Sequence, residues 1–165
     1  MTLNNGMMSS ETNEWYTPDY VINFIEKKFG YIELDPSASV YSKMGKRNYT
    51  IDDDGLSKSW KVNYDNSIVF VNPPYGRVIQ HWVAKSRFEG EQGNKVVMLI
   101  PARTDTSYWH EHIFPHAKEI YFIKGRIKFH NLYGEAESAP FPSAFVVFDN
   151  HNNKQIITSI EVKKW

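Results

Sequence analysis

Residues 67–76 read SIVFVNPPYG and decide the fold class of this chain. After Ser67 the run is continuously apolar, as is typical of a strand covered on both faces of a sheet. The two prolines that follow fix φ and remove backbone donors, so the turn presents carbonyl oxygens and the Asn72 carboxamide. A buried strand that ends in a rigid polar turn predicts a parallel sheet with a ligand site at its carboxyl edge.

The flanking sequence alternates further buried strands with helices. We predict a helix over 17–29, in which Thr17 caps, Pro18 takes the first helical position and Gly30 follows the last turn. A second helix over 78–88 is expected to be broken by Gly90 and Gly93. The other predicted elements are strands at 31–34, 47–51, 95–100 (closed by Pro101), 119–123 and 155–162, a short helix at 107–114, and a late antiparallel pair formed by 127–129 and 144–148. This order favours an α/β fold with a mainly parallel sheet.

Composition narrows the possible classes of protein. The 165 residues fit one globular domain, which we place at 14–165 after a flexible tail at 1–13. The absence of cysteine excludes disulfides and thiolate metal sites and suits a reducing cytoplasm. The polar N-terminus lacks the pattern of a signal peptide, and no apolar run is long enough for a membrane span. The six histidines show no metal-ligand spacing, so we expect no metal site.

The net charge is zero, from 19 basic and 19 acidic residues. Bulk charge therefore gives no sign of a nucleic-acid partner, although a local patch would suffice for binding. Such a cluster occurs in the sequence at Lys43, Lys46, Arg47, Lys58 and Lys61, and solvated loop lysines are an equally good interpretation.

Three polar motifs follow predicted parallel strands. They are Asp35-Pro36, Asn72-Pro73-Pro74-Tyr75 and the stretch from Pro101 to Asp105. Because parallel strands end at one edge of the sheet, we expect these motifs to lie close together.

The same motifs belong to a longer ordered set that spans Glu14 to Phe148. By this set the chain resembles the phage-type DNA N6-adenine methyltransferases, a compact Dam-like family associated with prophages. The matching segments are Trp15-Tyr16-Thr17-Pro18, Leu34-Asp35-Pro36, Asp54-Gly55-Leu56 with Trp60, Phe70 to Gly76, Pro101 to Thr106 with Trp109, Gly125-Arg126-Ile127 with Phe129, and Ala139 to Ser143.

The resemblance implies a minimal Rossmann-like domain that transfers a methyl group from S-adenosylmethionine to the N6 of a flipped-out adenine in double-stranded DNA. Adenine N6 is a poor nucleophile because its lone pair is conjugated into the ring. Acceptors at the Asn72 side chain and the Pro73 carbonyl would hold its hydrogens out of plane, and Tyr75 would stack on the base. The implied catalytic residues are Asn72, Pro73, Pro74 and Tyr75.

The remaining roles are also expectations. The cosubstrate residues would be Tyr16, Thr17, Pro18, Asp35, Pro36, Ser37, Asp54 and Asn72, although Asp52 and Asp53 are close alternatives to Asp54. The glycine-rich turn usual in the wider class is replaced here by Asp35-Pro36-Ser37-Ala38-Ser39. The DNA-binding residues would be Arg103, Asp105, Arg126, Lys46 and Arg47, with an Arg103–Asp105 ion pair as the structural alternative. The expected location is the cytoplasm of a bacterial host, with phage-DNA protection, restriction–modification and regulation all open as roles.

Two rival interpretations remain open at this point. The same fold could methylate another amino group, such as cytosine N4, RNA adenine or a glutamine amide. The chain could instead be a non-catalytic DNA-binding decoy that keeps the fold, since the glycine loop is missing and the net charge is zero.

Overall fold

A computed structural model describes residues 16–131 and 133–163 of the chain. The tail predicted at 1–13, together with Glu14 and Trp15 of the first motif, lies outside the described residues. The helices are α1 (Asp19–Phe29), α2 (Ile79–Glu91) and α3 (Phe114–His116). The strands are β1 (Tyr31–Asp35), β2 (Arg47–Asn48), β3 (Ser67–Val71), β4 (Val96–Pro101), β5 (Glu119–Ile123), β6 (Lys128–His130), β7 (Ala136–Ser138), β8 (Ser143–Phe148) and β9 (Ile156–Ile160).

Seven strands form one sheet in the order β2-β1-β3-β4-β8-β5-β9. All neighbouring pairs are parallel except those made by β8, which runs antiparallel to both β4 and β5. The carboxyl ends of β1, β3, β4 and β5 therefore share one edge of the sheet. The predicted α/β class with a mainly parallel sheet is confirmed.

The central strands are buried on both faces, which explains their unbroken apolar runs. Every residue of β3 and β4 is buried. Along β3, Val69 and Val71 face one core cluster, which includes α2 and Trp109, while Ile68 and Phe70 face the other, which includes α1 and Phe129. The strands predicted at 67–71 and 119–123 have the observed bounds.

The start of α1 differs from the prediction. The helix begins at Asp19, Pro18 is its extended N-cap residue, and no side chain caps it. The Pro18 carbonyl accepts hydrogen bonds from the backbone of Val21 and Ile22. Thr17 is not the cap because its hydroxyl lies against Asn72, at the end of β3. Gly30 ends the helix as predicted.

The helix break predicted at Gly90 is wrong. Gly90 lies inside α2, where an added Cβ would come within 2.6 Å of the Phe148 Cβ, so this glycine permits close packing of helix and strand. The short helix predicted at 107–114 extends through Pro115 to His116. A π-helical turn at Trp109–Ile113 precedes the proline and changes the hydrogen-bond register, so the ring avoids the usual clash with the preceding turn.

The predicted pairing of 127–129 with 144–148 is also wrong. Strand β6 pairs with β7 in a separate two-stranded hairpin, whereas β8 is inserted between β4 and β5. The burial pattern gives the reason. All six residues of β8 are buried and require neighbours on both sides, whereas β6 buries Phe129 and leaves Lys128 exposed. A local hairpin is the simplest partner for such a half-exposed strand.

Candidate active site

A cavity of about 270 Å³ opens at the carboxyl edge of the sheet, where the ends of β1 and β3 meet the segment before α1. This size is close to the lower end of the range for small-molecule sites, about 300–1,000 Å³. Residues that line it are Tyr16, Thr17, Asp35, Pro36, Ser37, Ala38, Ser39, Val40, Ser42, Met44, Thr50, Ile51, Asp54, Gly55, Phe70, Asn72, Pro73, Pro74 and Trp82. The first two of the three strand-end motifs therefore form parts of one wall.

Asp35 places a carboxyl group in this wall at the last position of β1. The residue is 4% exposed, and its carboxylate accepts hydrogen bonds from the Ser37 backbone and hydroxyl (3.1 and 3.2 Å) and from the Met44 backbone (3.4 Å). Burial raises the pKa of Asp35 to about 7, and the Met44 and Ser37 hydrogen bonds oppose this rise only in part. A cationic ligand in the cavity would stabilise the ionised form of this buried carboxyl group.

The chain after Asp35 folds back to hold that carboxyl group. The Asn48 side chain bonds both the amide and the carbonyl of Gly45, at 2.9 and 2.6 Å. A Cβ at Gly45 would lie 2.6 Å from the Asp35 amide nitrogen, so only glycine permits this approach. Small residues and a close backbone thus take the place of the absent glycine-rich turn.

Asp54 also lines the cavity, between the 3-10 turns Ile51–Asp53 and Gly55–Ser57. The Asp53 carboxylate is engaged elsewhere, since it accepts hydrogen bonds from the Thr50 amide and hydroxyl. Of the three adjacent aspartates, Asp54 is therefore the best placed to meet a ligand.

Gly55 and Trp60 fix this turn against the rest of the site. The Trp60 indole donates a 2.8 Å hydrogen bond to the Gly55 carbonyl and stacks on Trp82 of α2. A Cβ at Gly55 would lie 2.0 Å from the Pro36 carbonyl oxygen. The two turns that follow β1 and β2 are thus in direct contact, which explains why the Asp54-Gly55-Leu56 segment is followed by Trp60.

Asn72 lies at the junction between the cavity and Tyr75. Its Nδ2 donates to the Thr17 hydroxyl at 2.9 Å, and its Oδ1 accepts from the Tyr75 hydroxyl at 3.0 Å. Pro73 is buried and Pro74 exposed, and both line the cavity. Gly76, with a φ of 100°, then turns the chain toward α2 in the region that favours glycine.

Tyr75 is partly buried beside the cavity and packs edge-on against Phe141, with ring centroids 5.2 Å apart. Burial, with a smaller contribution from Tyr108, raises the pKa of Tyr75, so its hydroxyl stays protonated and can donate to Asn72. Beyond Phe141 lies the Arg103 guanidinium, 5.8 Å from the ring centroid. Arg103 is therefore linked to Tyr75 through one aromatic ring.

The other predicted site residues lie outside the cavity lining. Pro18 is the N-cap of α1. Arg103 and Asp105 are exposed in the loop after β4, and the ion pairs of the described residues do not include one between them. Arg126 is exposed just after β5, on the same edge of the sheet.

Lys46 and Arg47 lie at the outer side of the sheet, where Arg47 of β2 pairs with Leu34 of β1. The Lys46 amide bonds the carbonyl of Ile32 near the start of β1, and its ammonium is 5.2 Å from the Tyr64 ring centroid. Arg47 forms an ion pair of 3.4 Å with the buried Glu33 and donates to the Lys61 carbonyl. Their predicted contact with DNA is not supported by this placement and stays a prediction.

The sequence did not lead us to assign several residues of the lining to the site. The apolar ones are Val40, Met44, Ile51, Phe70 and Trp82. A signal existed for two of them, because Val40 and Ile51 are isolated apolar residues in a polar, turn-rich segment, and they are 60% and 90% exposed. Phe70 and Trp82 belong to core patterns that do not distinguish a cavity wall from the interior.

Metal sites and membrane-spanning helices are features of other protein classes. Within residues 16–131 and 133–163, no three His, Asp or Glu side chains come together as a metal site would require, and the expectation of no metal remains a prediction. None of the helices in those ranges has the length and apolar character needed to cross a bilayer.

The fold resembles that of a known class of enzyme. A crystal structure of a putative class I S-adenosylmethionine-dependent methyltransferase from Listeria monocytogenes superposes with a TM-score of 0.56 at 11% identity, covering 96% of this chain and 69% of that one. The molecule therefore has the class I methyltransferase fold, with its cavity at the carboxyl edge of the sheet.

Sequence comparison defines the family within that class. The profile of the DNA N-6-adenine-methyltransferase (Dam) family matches residues 5–164, so the chain belongs to this family. A relative from Escherichia phage T1, described as DNA N-6-adenine-methyltransferase, is 33% identical over 110 residues. That match covers 67% of this chain and 44% of the relative. The matched part is therefore less than half of the phage protein.

Proposed function

We propose that this chain transfers the methyl group of S-adenosylmethionine to the exocyclic N6 of adenine in double-stranded DNA. One observation carries the proposal. The Asn72-Pro73-Pro74 turn and the buried carboxyl group of Asp35 line the same cavity in a chain of the Dam family. The methyl donor and the amine that receives the methyl group can therefore bind next to each other at this wall of the cavity.

The residues of the cavity suit S-adenosylmethionine. This ligand carries an ammonium and a sulfonium, and Asp35 offers a buried carboxyl group whose ionised form a cation would stabilise. Asp54 stands near Ile51, where a carboxylate and an apolar side chain suit the ribose and base of an adenosine. When bound, the cosubstrate supplies an electrophilic methyl group. Tyr16, Thr17, Pro36 and Ser37 complete the wall that would hold it.

Asn72 and Pro73 then act on the adenine amine. Oxygen acceptors at the Asn72 carboxamide and the Pro73 carbonyl would accept hydrogen bonds from the two amine hydrogens and leave the nitrogen lone pair available. As the nitrogen bonded to the methyl carbon, the carbon–sulfur bond would break, the thioether would leave with the bonding electrons, and the amine would lose one proton to solvent. In the structure the Asn72 oxygen already accepts the Tyr75 hydroxyl, so an incoming adenine must displace that hydroxyl. Tyr75 thereby leaves Asn72 as its ring comes to stack on the flipped base, a contact worth about 1–3 kcal/mol. Rate comes mainly from alignment of the amine with the methyl group.

The DNA contacts follow from the same edge of the sheet. Arg103 and Arg126 are exposed on the loops after β4 and β5, where phosphates on either side of a flipped base would lie. Asp105, beside Arg103, would shape that loop. We place the reaction in the cytoplasm of a bacterial host.

The test is methyl transfer from labelled S-adenosylmethionine to duplex DNA, followed by digestion and identification of the modified base. N6-methyladenine is expected, whereas N4-methylcytosine or label in an RNA substrate would contradict the proposed substrate. Asn72→Ala should abolish transfer while S-adenosylmethionine binding, measured by calorimetry, remains. Absence of binding by the wild-type protein at millimolar ligand would instead support a non-catalytic decoy.

A further inference from the structure

We propose that Thr17 is a positioning residue that holds the Asn72 carboxamide with its oxygen toward the substrate. The inference goes beyond the cosubstrate role expected for this segment, and it rests on the proposed role of Asn72 as the acceptor for the adenine amine.

The hydrogen bonds at Asn72 have a direction. Its Nδ2 donates to the Thr17 hydroxyl at 2.9 Å, and its Oδ1 faces the Tyr75 hydroxyl at 3.0 Å. Thr17 is 5% exposed, so water competes little for this contact. The two residues are 55 positions apart, and the contact therefore depends on the tertiary fold.

The direction matters because a carboxamide has nearly the same shape in both orientations but opposite hydrogen-bonding character. An amine offers hydrogens, so it needs the oxygen of Asn72. Turned over, the amide would present its own hydrogens to the amine and repel it. A hydroxyl can accept or donate; in the observed arrangement the Thr17 hydroxyl accepts from the Asn72 nitrogen on the far side, and the Asn72 oxygen lies on the side of Tyr75.

Thr17 can serve this purpose because the main chain fixes it on both sides. The neighbouring Tyr16 exchanges two 3.1 Å backbone hydrogen bonds with His130 of β6. On the other side, the Pro18 carbonyl accepts the first hydrogen bonds of α1, whose Val21 and Ile25 are fully buried. The hydroxyl is thus anchored between the hairpin and the first helix.

The experiment compares Thr17→Val, which keeps the shape and removes the hydroxyl, with Thr17→Ser, which keeps the hydroxyl. Two quantities are measured for each: the single-turnover methylation rate at saturating S-adenosylmethionine, and the Kd for S-adenosylhomocysteine by calorimetry. We expect Thr17→Val to lower the rate about tenfold, the factor that corresponds to ~1.4 kcal/mol. Its Kd should stay within about threefold of wild type, since valine keeps the shape of the cavity wall and the lost hydroxyl bonds Asn72 rather than the ligand. Thr17→Ser, which restores the hydroxyl, should recover most of the rate that Thr17→Val loses.

A wild-type rate in Thr17→Val would overturn the inference. So would an equal loss of rate in Thr17→Ser, or a loss confined to the Kd, because a mere wall of the pocket would behave in those ways. If Thr17→Val fails to fold, Thr17→Ala gives the same comparison. Asn72→Ala separates this inference from the proposed function: an active Asn72→Ala variant would refute the role of Asn72 itself, whereas an inactive one beside an active Thr17→Val variant would refute only the role of Thr17.

Discussion

Asp35 provides a quantitative prediction because its carboxyl group is placed where ionisation opposes folding. Burial raises the pKa of Asp35 from its ordinary value of 3.8 to about 7. The folded chain therefore binds more protons than the unfolded chain between these pH values, and stability falls as the pH rises through this window. At about 1.4 kcal/mol per pH unit, the full loss above pH 7 is about 4 kcal/mol.

Asp35→Asn removes this loss, since the asparagine is neutral at every pH. The variant gives up the Met44 hydrogen bond, which costs about 1 kcal/mol at all pH values. The difference in the free energy of unfolding between Asp35→Asn and the wild type should therefore shift by about 3 kcal/mol in favour of the variant from pH 5 to pH 8.5. Other titrating groups are common to both proteins and cancel in this difference.

The assay is urea unfolding of both proteins at pH 5, 7 and 8.5, followed by circular dichroism. A stability difference that does not change across this range would refute the reasoning, because it would mean that Asp35 ionises in the folded state near its ordinary value. A matched control for the substitution itself is Asp53→Asn, which alters an exposed cap outside the cavity lining.

The same variant tests the cosubstrate role of Asp35. A cationic ligand favours the ionised carboxyl group, so its binding should release a proton and strengthen as the pH rises toward 7. Between pH 7.5 and pH 5.5 the affinity of the wild type for S-adenosylmethionine should fall on the order of 20-fold. Asp35→Asn should bind weakly at both values, and tight binding by this variant would exclude Asp35 as the partner of the cation.

Three further outcomes are expected. Tyr75→Ala should lower kcat/KM for DNA about 10- to 100-fold through lost stacking. Tyr75→Phe keeps the ring and removes only the hydroxyl that bonds the Asn72 oxygen, so its kcat/KM should stay within about threefold of wild type. Similar losses in both variants would contradict the stacking role. Gly55→Ala, whose Cβ would lie 2.0 Å from the Pro36 carbonyl oxygen, should weaken S-adenosylmethionine binding in calorimetry, and unchanged affinity would show that the two turns need not touch. Gly90→Ala, 2.6 Å from the Phe148 Cβ, should lower the free energy of unfolding by about 1–3 kcal/mol in urea melts without moving that affinity, and a stabilised protein would contradict the packing argument.

The local sequence pattern was enough to predict an element whose conformation is determined by its own residues. The runs at 67–71 and 119–123 predicted their strands because an unbroken β-branched and aromatic segment suits a strand covered on both faces. Chain order placed two polar motifs, at Asp35 and Asn72, at the same edge of a parallel sheet, and the structure brings both into one cavity.

Errors arose where a distant partner overrides the local signal. Thr17 has the composition of a helix cap, but its hydroxyl meets Asn72 instead. Gly90 resembles a helix breaker, yet it serves contact between α2 and β8. The partner of β8 was mistaken because burial of both faces and both edges is a property of the whole sheet.

By itself, the sequence determined the α/β class, the strand-end motifs and the membership of a family, because these depend on periodicity, proline stiffness and motif order along the chain. Only the tertiary structure decided which groups come into contact. Gly55 touches Pro36, and Asp35 is buried enough to hold its proton near neutral pH. Thr17 and Tyr75 form hydrogen bonds with the nitrogen and the oxygen of the Asn72 amide. Apart from the Tyr75–Asn72 bond, which spans three positions, these contacts join residues far apart in the chain. Their energies depend on desolvation and close approach, which no local pattern encodes.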